Sequence, residues 1–361
     1  MLIPGVGTGS RTNRERAIDL FSGSGAVTAG MTHAGFRVIA AVDNDPVACR
    51  TYRLNHPSVD LFEEDIQQFD PQRILKRHPD SFGLDLLIVC APCQPFSSQN
   101  RKKASDPRAT LLLESVKFVA TLKPRCALFE NVPGLASPSN LHVLRELQGR
   151  LAELGYILGQ PRRIDAADLG VPQRRLRCVM VASQSVAAVK AFGEAELAKK
   201  RMTVREAIGH LSALKSGEAD PTDLLHHART HRPVALARLA SIPKDGGSRL
   251  DLPKQLVLSC HRGQKGFPDV YGRMRWDDVA PTLTTGCDDV TRGRFAHPEQ
   301  NRAITLREAA LLQTFPADYG FDGNRRQVAS QIGNAVPVAM VEGLVPILRS
   351  ALRVTNVGRP R

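Results

Sequence analysis

Hydrophobic residues in the first half of the chain fall into short runs separated by turn signals, and residues 86–89, LLIV, form the plainest one. That run has no polar alternation, so it reads as a strand buried on both faces, as in a parallel sheet covered by helices. Residues 17–21, 38–42, 59–62, 124–130 and 178–182 predict further strands, while 26–34, 111–122 and 142–154 predict helices. Alternating strands and helices make the expected fold class α/β, a doubly wound, mostly parallel, Rossmann-like sheet. Farther on, residues 304–314 predict a helix that opens on a capping box, Thr305 with Glu308, and ends at Pro316. A last helix is predicted over 331–352.

Between these regions, from about residue 184, the pattern breaks into short, irregular segments containing Gly and Pro, with a basic excess and half of the chain's ten histidines. This texture predicts a smaller second domain. The first fifteen or so residues and the last six read as disordered tails.

At 361 residues and 42% hydrophobic content the chain can bury a substantial core. No run approaches the roughly 18 apolar residues of a membrane span, so a soluble protein with no membrane association is expected. The polar, basic start has no apolar core of a signal peptide, and an odd number of cysteines, seven, without framework spacing suits a reducing cytoplasm. A net charge of +13 points to a polyanionic partner, although charge alone leaves nucleic acid only somewhat favoured.

Candidate chemistry collects where predicted strands end. Cys93 follows the run at 86–89 and is bracketed by Pro92 and Pro95. At the carboxyl edge of a central strand it is a candidate nucleophile, against the readings of a small buried hydrophobe or of a redox or zinc C-x-x-C with Cys90. The zinc reading is weak, because no second C-x-x-C or paired His at ligand spacing follows, and the histidine run at 226–233, HHARTHRP, has no cysteines. No metal site is expected. Residues 17–43 form a strand, a glycine turn at Gly23 and Gly25, a small-residue helix and a strand ending on Asp43, the layout of a site for a nucleoside-bearing cofactor. Asp65 could accept from an adenine amino group or simply cap a helix. Glu130 leaves a buried strand where packing hardly explains a carboxylate, and reads as a general acid or a hydrogen-bonding carboxylate in the pocket of Cys93, against the reading of a satisfied structural Glu. Arg175 and Arg177, two apart at a strand start, could grip a phosphate or base carbonyl, or could be solvated surface arginines.

DLFSGSG from Asp19, APCQPFS around Cys93, ENV at 130–132, QRRLR at 173–177 and QIGNAVP at 331–337 together resemble the ordered motifs of the prokaryotic C5-cytosine-specific DNA methyltransferases. The likeness spans nearly the whole chain except about residues 184–270, and it displaces the redox reading, leaving Cys90 as a core residue. It implies transfer of a methyl group from S-adenosyl-L-methionine to C5 of a cytosine flipped out of double-stranded DNA, through a covalent Cys93 adduct. Glu130, Arg175 and Arg177 would assist. The cofactor would meet Asp19, Phe21, Ser22, Gly23, Ser24 and Gly25, then Asp43 and Asn44, Asp65 and Ile66, Pro92, and Asn334 with Ala335. Asn44 departs from the pattern, since many relatives place an aromatic residue there to stack on adenine.

The resemblance further implies a discontinuous catalytic domain, 1–183 with 315–361, a target-recognition domain at 184–300 and a hinge helix at 301–314. The loop at 97–108 would close over the extruded base. A monomer associated with the nucleoid in the cytoplasm, with a possible cognate restriction endonuclease, completes the expectation. The alternatives are a tRNA cytosine-5 methyltransferase of the same superfamily, although its CFT tripeptide is absent, and a catalytically silent DNA-binding relative.

Overall fold

The computed structural model describes residues 14–96, 110–262 and 269–355, so the loop at 97–108 and most of both tails lie outside the described residues. Strands β1 (Arg16–Leu20), β2 (Arg37–Asp43), β3 (Asp60–Glu63), β4 (Leu86–Val89), β5 (Cys126–Asn131), β6 (Ile157–Leu158), β7 (Arg162–Asp165) and β8 (Leu176–Ser183) form one sheet. Its order is β3-β2-β1-β4-β5-β8-β6, with β7 also pairing β8. The first five strands are mutually parallel, and β6, β7 and β8 join antiparallel. Every residue of β4 is buried, as expected of a strand covered on both faces.

Strand order reverses between β1 and β4, which opens a crevice beyond their carboxyl ends. Helix α1 (Ala26–His33) follows β1, α2 (Pro46–Asn55) follows β2, α3 (Gln72–Arg77) follows β3, α4 (Leu111–Leu122) follows β4 and α5 (Leu141–Glu153) follows β5. One face of the sheet packs on α4 and α5 through Leu112, Phe118, Val119, Leu147 and Leu151, and the other on α1 and the chain's last helix. After β8 come α6 (Val186–Glu194), α7 (Val204–Ile208), α8 (Pro233–Ser241), α9 (Leu306–Leu312), α10 (Arg325–Asn334) and α11 (Val338–Thr355).

Several expectations need correction. The final helix is two helices, because Pro337 has no N–H to continue the ladder; α10 begins earlier than expected, on an Asn324/Gln327 capping box. The stretch Arg325–Thr355 has the length and mean hydropathy (1.5) of a membrane span, contrary to the sequence reading, but its most apolar window is 61% buried in the protein, as in a core helix. Helix α6, expected to open the second domain, sets Ala188 and Phe192 in the same core as α11. Beyond that point one small core, with Leu239, Ile242, Tyr271 and Val290, is separate. Another, with Val204, Trp276, Leu283 and Phe295, is shared with α9 and α1. The histidine run is structural: His226 is buried between Thr305 Oγ1 (3.0 Å) and the Ser212 carbonyl (2.9 Å), and His231 Nε2 accepts from the Ala303 N–H.

Candidate active site

The crevice holds a cavity of about 530 Å³. Phe21, Ser22, Gly23 and Ser24 line it after β1, Asp43 and Asn44 after β2, and Pro92 and Cys93 after β4. Glu130 enters from the end of β5, Arg177 from β8, and Asn334 with Ala335 from the end of α10. The wall therefore brings together residues from both ends of the chain. Asp19, Gly25, Asp65, Ile66 and Arg175 do not line it.

The glycine turn is built for close approach. Phe21 takes a left-handed φ of 59° and, with Ser22, donates to the Val42 carbonyl. Gly25 has φ +94°, and a Cβ there would collide with the His56 ring and the Tyr319 hydroxyl. Tyr319 Oη donates to the Ser24 carbonyl at 2.6 Å, tying this turn to a residue beyond the expected hinge. Asp43 braces it from the other side, accepting from the N–H groups of Gly23 (2.8 Å) and Asp45 (2.9 Å). Asp19 lies fully buried below the turn, where Thr28 Oγ1 donates to it at 2.8 Å; burial pushes its carboxyl up to about 7.

Cys93 is held by the strand beside it. Asn131 Nδ2 donates to the Ala91 carbonyl at 3.1 Å, and Phe96 N–H closes a turn on the Cys93 carbonyl. Gly134, just after β5, must lack a side chain, because a Cβ would strike the Phe96 carbonyl oxygen. Cys90 packs against the sheet's core, as expected, and its partly buried side chain also lines the cavity.

Arg177 Nε lies 2.8 Å from Glu130 Oε1, with both side chains less than a tenth exposed. The contact is an ion pair whose N–H is poorly aligned, since that oxygen accepts no hydrogen bond. Burial raises the Glu130 pKa, while Arg177 and then Arg175 oppose the rise. Burial likewise pushes the Cys93 thiol up; Arg177 pulls it down and Glu130 adds to the rise.

Arg175 departs from the sequence expectation. It is 3% exposed, and its Nη atoms donate to the carbonyls of Leu283 (3.0 Å), Gly333 (2.9 Å) and Ala335 (3.0 Å). It thus fastens the segment after Pro281 to the end of α10 and leaves the cavity to Arg177. Asp65 and Ile66 also move away from their expected role. Asp65 accepts from the Gln67 N–H at 2.9 Å, as a turn cap does, and Ile66 is 5% exposed in the sheet's core.

Four polar atoms in residues of the cavity wall, Ser22 Oγ, Gln94 Oε1, Glu130 Oε1 and Gln331 Oε1, are buried without a hydrogen-bond partner. Such atoms call for a polar ligand, because an unpaired buried acceptor is costly. Gln331 lay inside a recognised motif but received no role from the sequence, and its neighbours Gln327 and Ser330 carried no signal at all. Their place on the wall follows from the packing of α10 against the crevice.

A family model described as C-5 cytosine-specific DNA methylase matches residues 16–347. The chain is 38% identical over 330 residues to the Type II methylase M.HgiDII of Herpetosiphon aurantiacus, covering 90% of this chain and 92% of that one. It is 34% identical to the Type II methyltransferase M1.HphI of Haemophilus parahaemolyticus, covering 91% and 84% of the two chains. Among solved structures, a DNA modification methyltransferase encoded within an E. coli prophage aligns with a TM-score of 0.72 at 22% identity, covering 94% of this chain and 99% of that one. The S. pombe Dnmt2 methyltransferase aligns at 0.60 and 20%, covering 94% and 100%.

Proposed function

The chain belongs to the C-5 cytosine-specific DNA methylases and is a DNA cytosine-5 methyltransferase, and from that premise we propose how its cavity carries out the reaction. Cytosine C5 is too weak a nucleophile to take a methyl group unaided. Addition of the Cys93 thiolate to C6 breaks the ring's conjugation and makes C5 enamine-like. Glu130, in its protonated form, donates to N3 as negative charge spreads toward it, and the Arg177 guanidinium faces the O2 edge. Loss of the C5 proton then returns the electron pair, and the C6–S bond breaks to release the thiolate. The ion pair of Glu130 with Arg177 at the cavity that also holds Cys93 carries this reading.

We assign S-adenosylmethionine as the cofactor; when bound, it supplies an electrophilic methyl group. Phe21 to Ser24 and Asn334 would hold its amino-acid end, with Ser22 Oγ and Gln331 Oε1 as waiting polar partners. Asp43 would take the ribose hydroxyls, and Asn44 leaves the adenine without a stacking ring on that side. Asp19 and Gly25 shape the turn from below, and Arg175 is a positioning residue. Because the target atom is hidden in a stacked duplex, the base must be extruded. The region between α6 and α9 would read the sequence, and the chain would act as a monomer in the cytoplasm beside a cognate endonuclease.

The test is Cys93→Ser with duplexes carrying 5-fluorocytosine at the target. Fluorine cannot leave as a proton does, so the wild type should form a stable covalent adduct while the variant forms none and transfers no methyl group. Adduct formation at an undiminished level in the variant would move the nucleophile elsewhere.

A further inference from the structure

A second, smaller cavity of about 370 Å³ lies across α10 from the first, and the two share Ser330. Arg325 and Arg326 reach it from the start of α10, Arg229 from before α8, and Arg292 from the loop that follows Thr285. Only Asp288 and Asp289 offset these four guanidinium groups on its wall. Both carboxylates are already committed. Arg325 Nε meets Asp288 Oδ2 at 2.6 Å, and Arg229 Nη1 meets Asp289 Oδ2 at 3.2 Å. Arg325 Nη1 donates to the His227 carbonyl at 3.1 Å, while its Nη2 is buried with no partner. Arg292 lies against Gly286, where a Cβ would strike its side chain. Arg292 and Arg326 are both exposed, and neither has an ion-pair partner among the described residues.

The two carboxylates answer two of the four guanidinium groups, and the remaining excess of positive charge in one pocket favours a further anion among them. A buried, unpaired N–H on the same wall asks for the same thing. The forked guanidinium matches the two free oxygens of a phosphodiester. With the region between α6 and α9 as the reader of the duplex, the site lies beside the bound strand, because its walls come from that region and from α10. Arg326 and Ser330 are four residues apart on α10, about 6 Å along its axis, so an anion here would lie close to the cavity that receives the base.

We propose that this arginine pocket binds one backbone phosphate of the DNA duplex and so fixes the strand whose cytosine is extruded. The inference rests on the reading of duplex DNA as the substrate. Arg325 and Arg229 form its braced floor, and Arg292 with Arg326 are the mobile jaws that close on the phosphate.

The experiment measures duplex binding against salt for Arg292→Ala, Arg326→Ala, the double variant and the corresponding Lys variants, with cofactor affinity and the methylated sequence recorded for each. Each Ala variant should weaken binding about tenfold and flatten the slope of log K against log salt by roughly 0.9, the value for one phosphate. Because both side chains grip the same phosphate, the double variant should lose one such step and not two. The Lys variants, which keep the charge, should retain the slope. The KM for DNA should rise more than kcat falls. An unchanged affinity and slope would overturn the proposal. So would a loss confined to cofactor affinity, which would give the pocket to the cofactor, or a changed target sequence, which would make these side chains readers of bases. A wild-type chain that leaves duplex DNA unmethylated would instead remove the substrate reading itself.

Discussion

Arg175→Met should loosen the junction between the segment after Pro281 and the end of α10 while sparing the chemistry. The guanidinium is 3% exposed, and its donors satisfy the carbonyls of Leu283, Gly333 and Ala335. Methionine fills most of the volume and donates nothing. Two buried carbonyls and a part-buried one left without a partner cost about 1–3 kcal/mol each, and water entering the vacated fork recovers part of that. A net loss of roughly 4 kcal/mol follows, which lowers the urea midpoint by roughly 1 M for a chain of this size. Arg175→Lys should recover little, since a point-like ammonium cannot serve three carbonyls spread across a fork. Gly333 and Ala335 lie beside Asn334, so the variant should also bind cofactor more weakly. Urea unfolding followed by fluorescence gives the midpoint, and single-turnover methylation at saturating cofactor and low temperature gives the chemical step. A variant as stable as the wild type whose chemical step has collapsed would refute the reasoning and place Arg175 on the substrate.

Glu130→Gln should slow single-turnover methylation on the order of a hundredfold, since the donor to N3 acts in the transition state, while DNA affinity stays within a few-fold; a change confined to KM would make Glu130 structural. The pH dependence follows from Cys93. Burial raises its pKa and only the thiolate adds to C6, so kcat/KM should climb with pH as the thiol ionises. Arg177 opposes that rise, so Arg177→Ala should move the climb to higher pH. A climb in the same place for both proteins would show that Arg177 does not act on the thiol.

The alternation of strands and helices was legible because covered parallel strands must be apolar throughout, and β4, β5 and α4 form where their runs lie. The association of Cys93, Glu130 and Arg177 was legible because each sits at a strand end or start, and parallel strands gather their carboxyl ends on one edge. The separate roles of the two arginines were not. Residues two apart in sequence share a face, but whether that face meets carbonyls or a cavity depends on Leu283 and Gly333, far along the chain. The division of the last helix was visible in Pro337 and went unused, whereas the seating of α6 beside α11 is a long-range packing choice that no local pattern encodes. The arginine pocket was invisible for the same reason: its charges come from segments about a hundred residues apart.

The three groups at the cavity constrain one another in a way that favours the productive protonation state. Burial disfavours charge on Cys93 and on Glu130 alike, and Arg177 on the cavity wall, with Arg175 behind it, opposes that rise on both. Charged Glu130 raises the Cys93 thiol further, so carboxyl and thiol compete for a proton. With the proton on sulfur, Glu130 stays paired to Arg177, the arrangement found here. With the proton on the carboxyl, the guanidinium is freed to stabilise the thiolate, and Glu130 gains the hydrogen that N3 requires. Entry of a cytosine whose N3 accepts that hydrogen, and whose C6 receives the thiolate, rewards only the second state. On this assignment the substrate selects the reactive form of the site, and a thiol with a raised pKa is no obstacle to its use as the nucleophile.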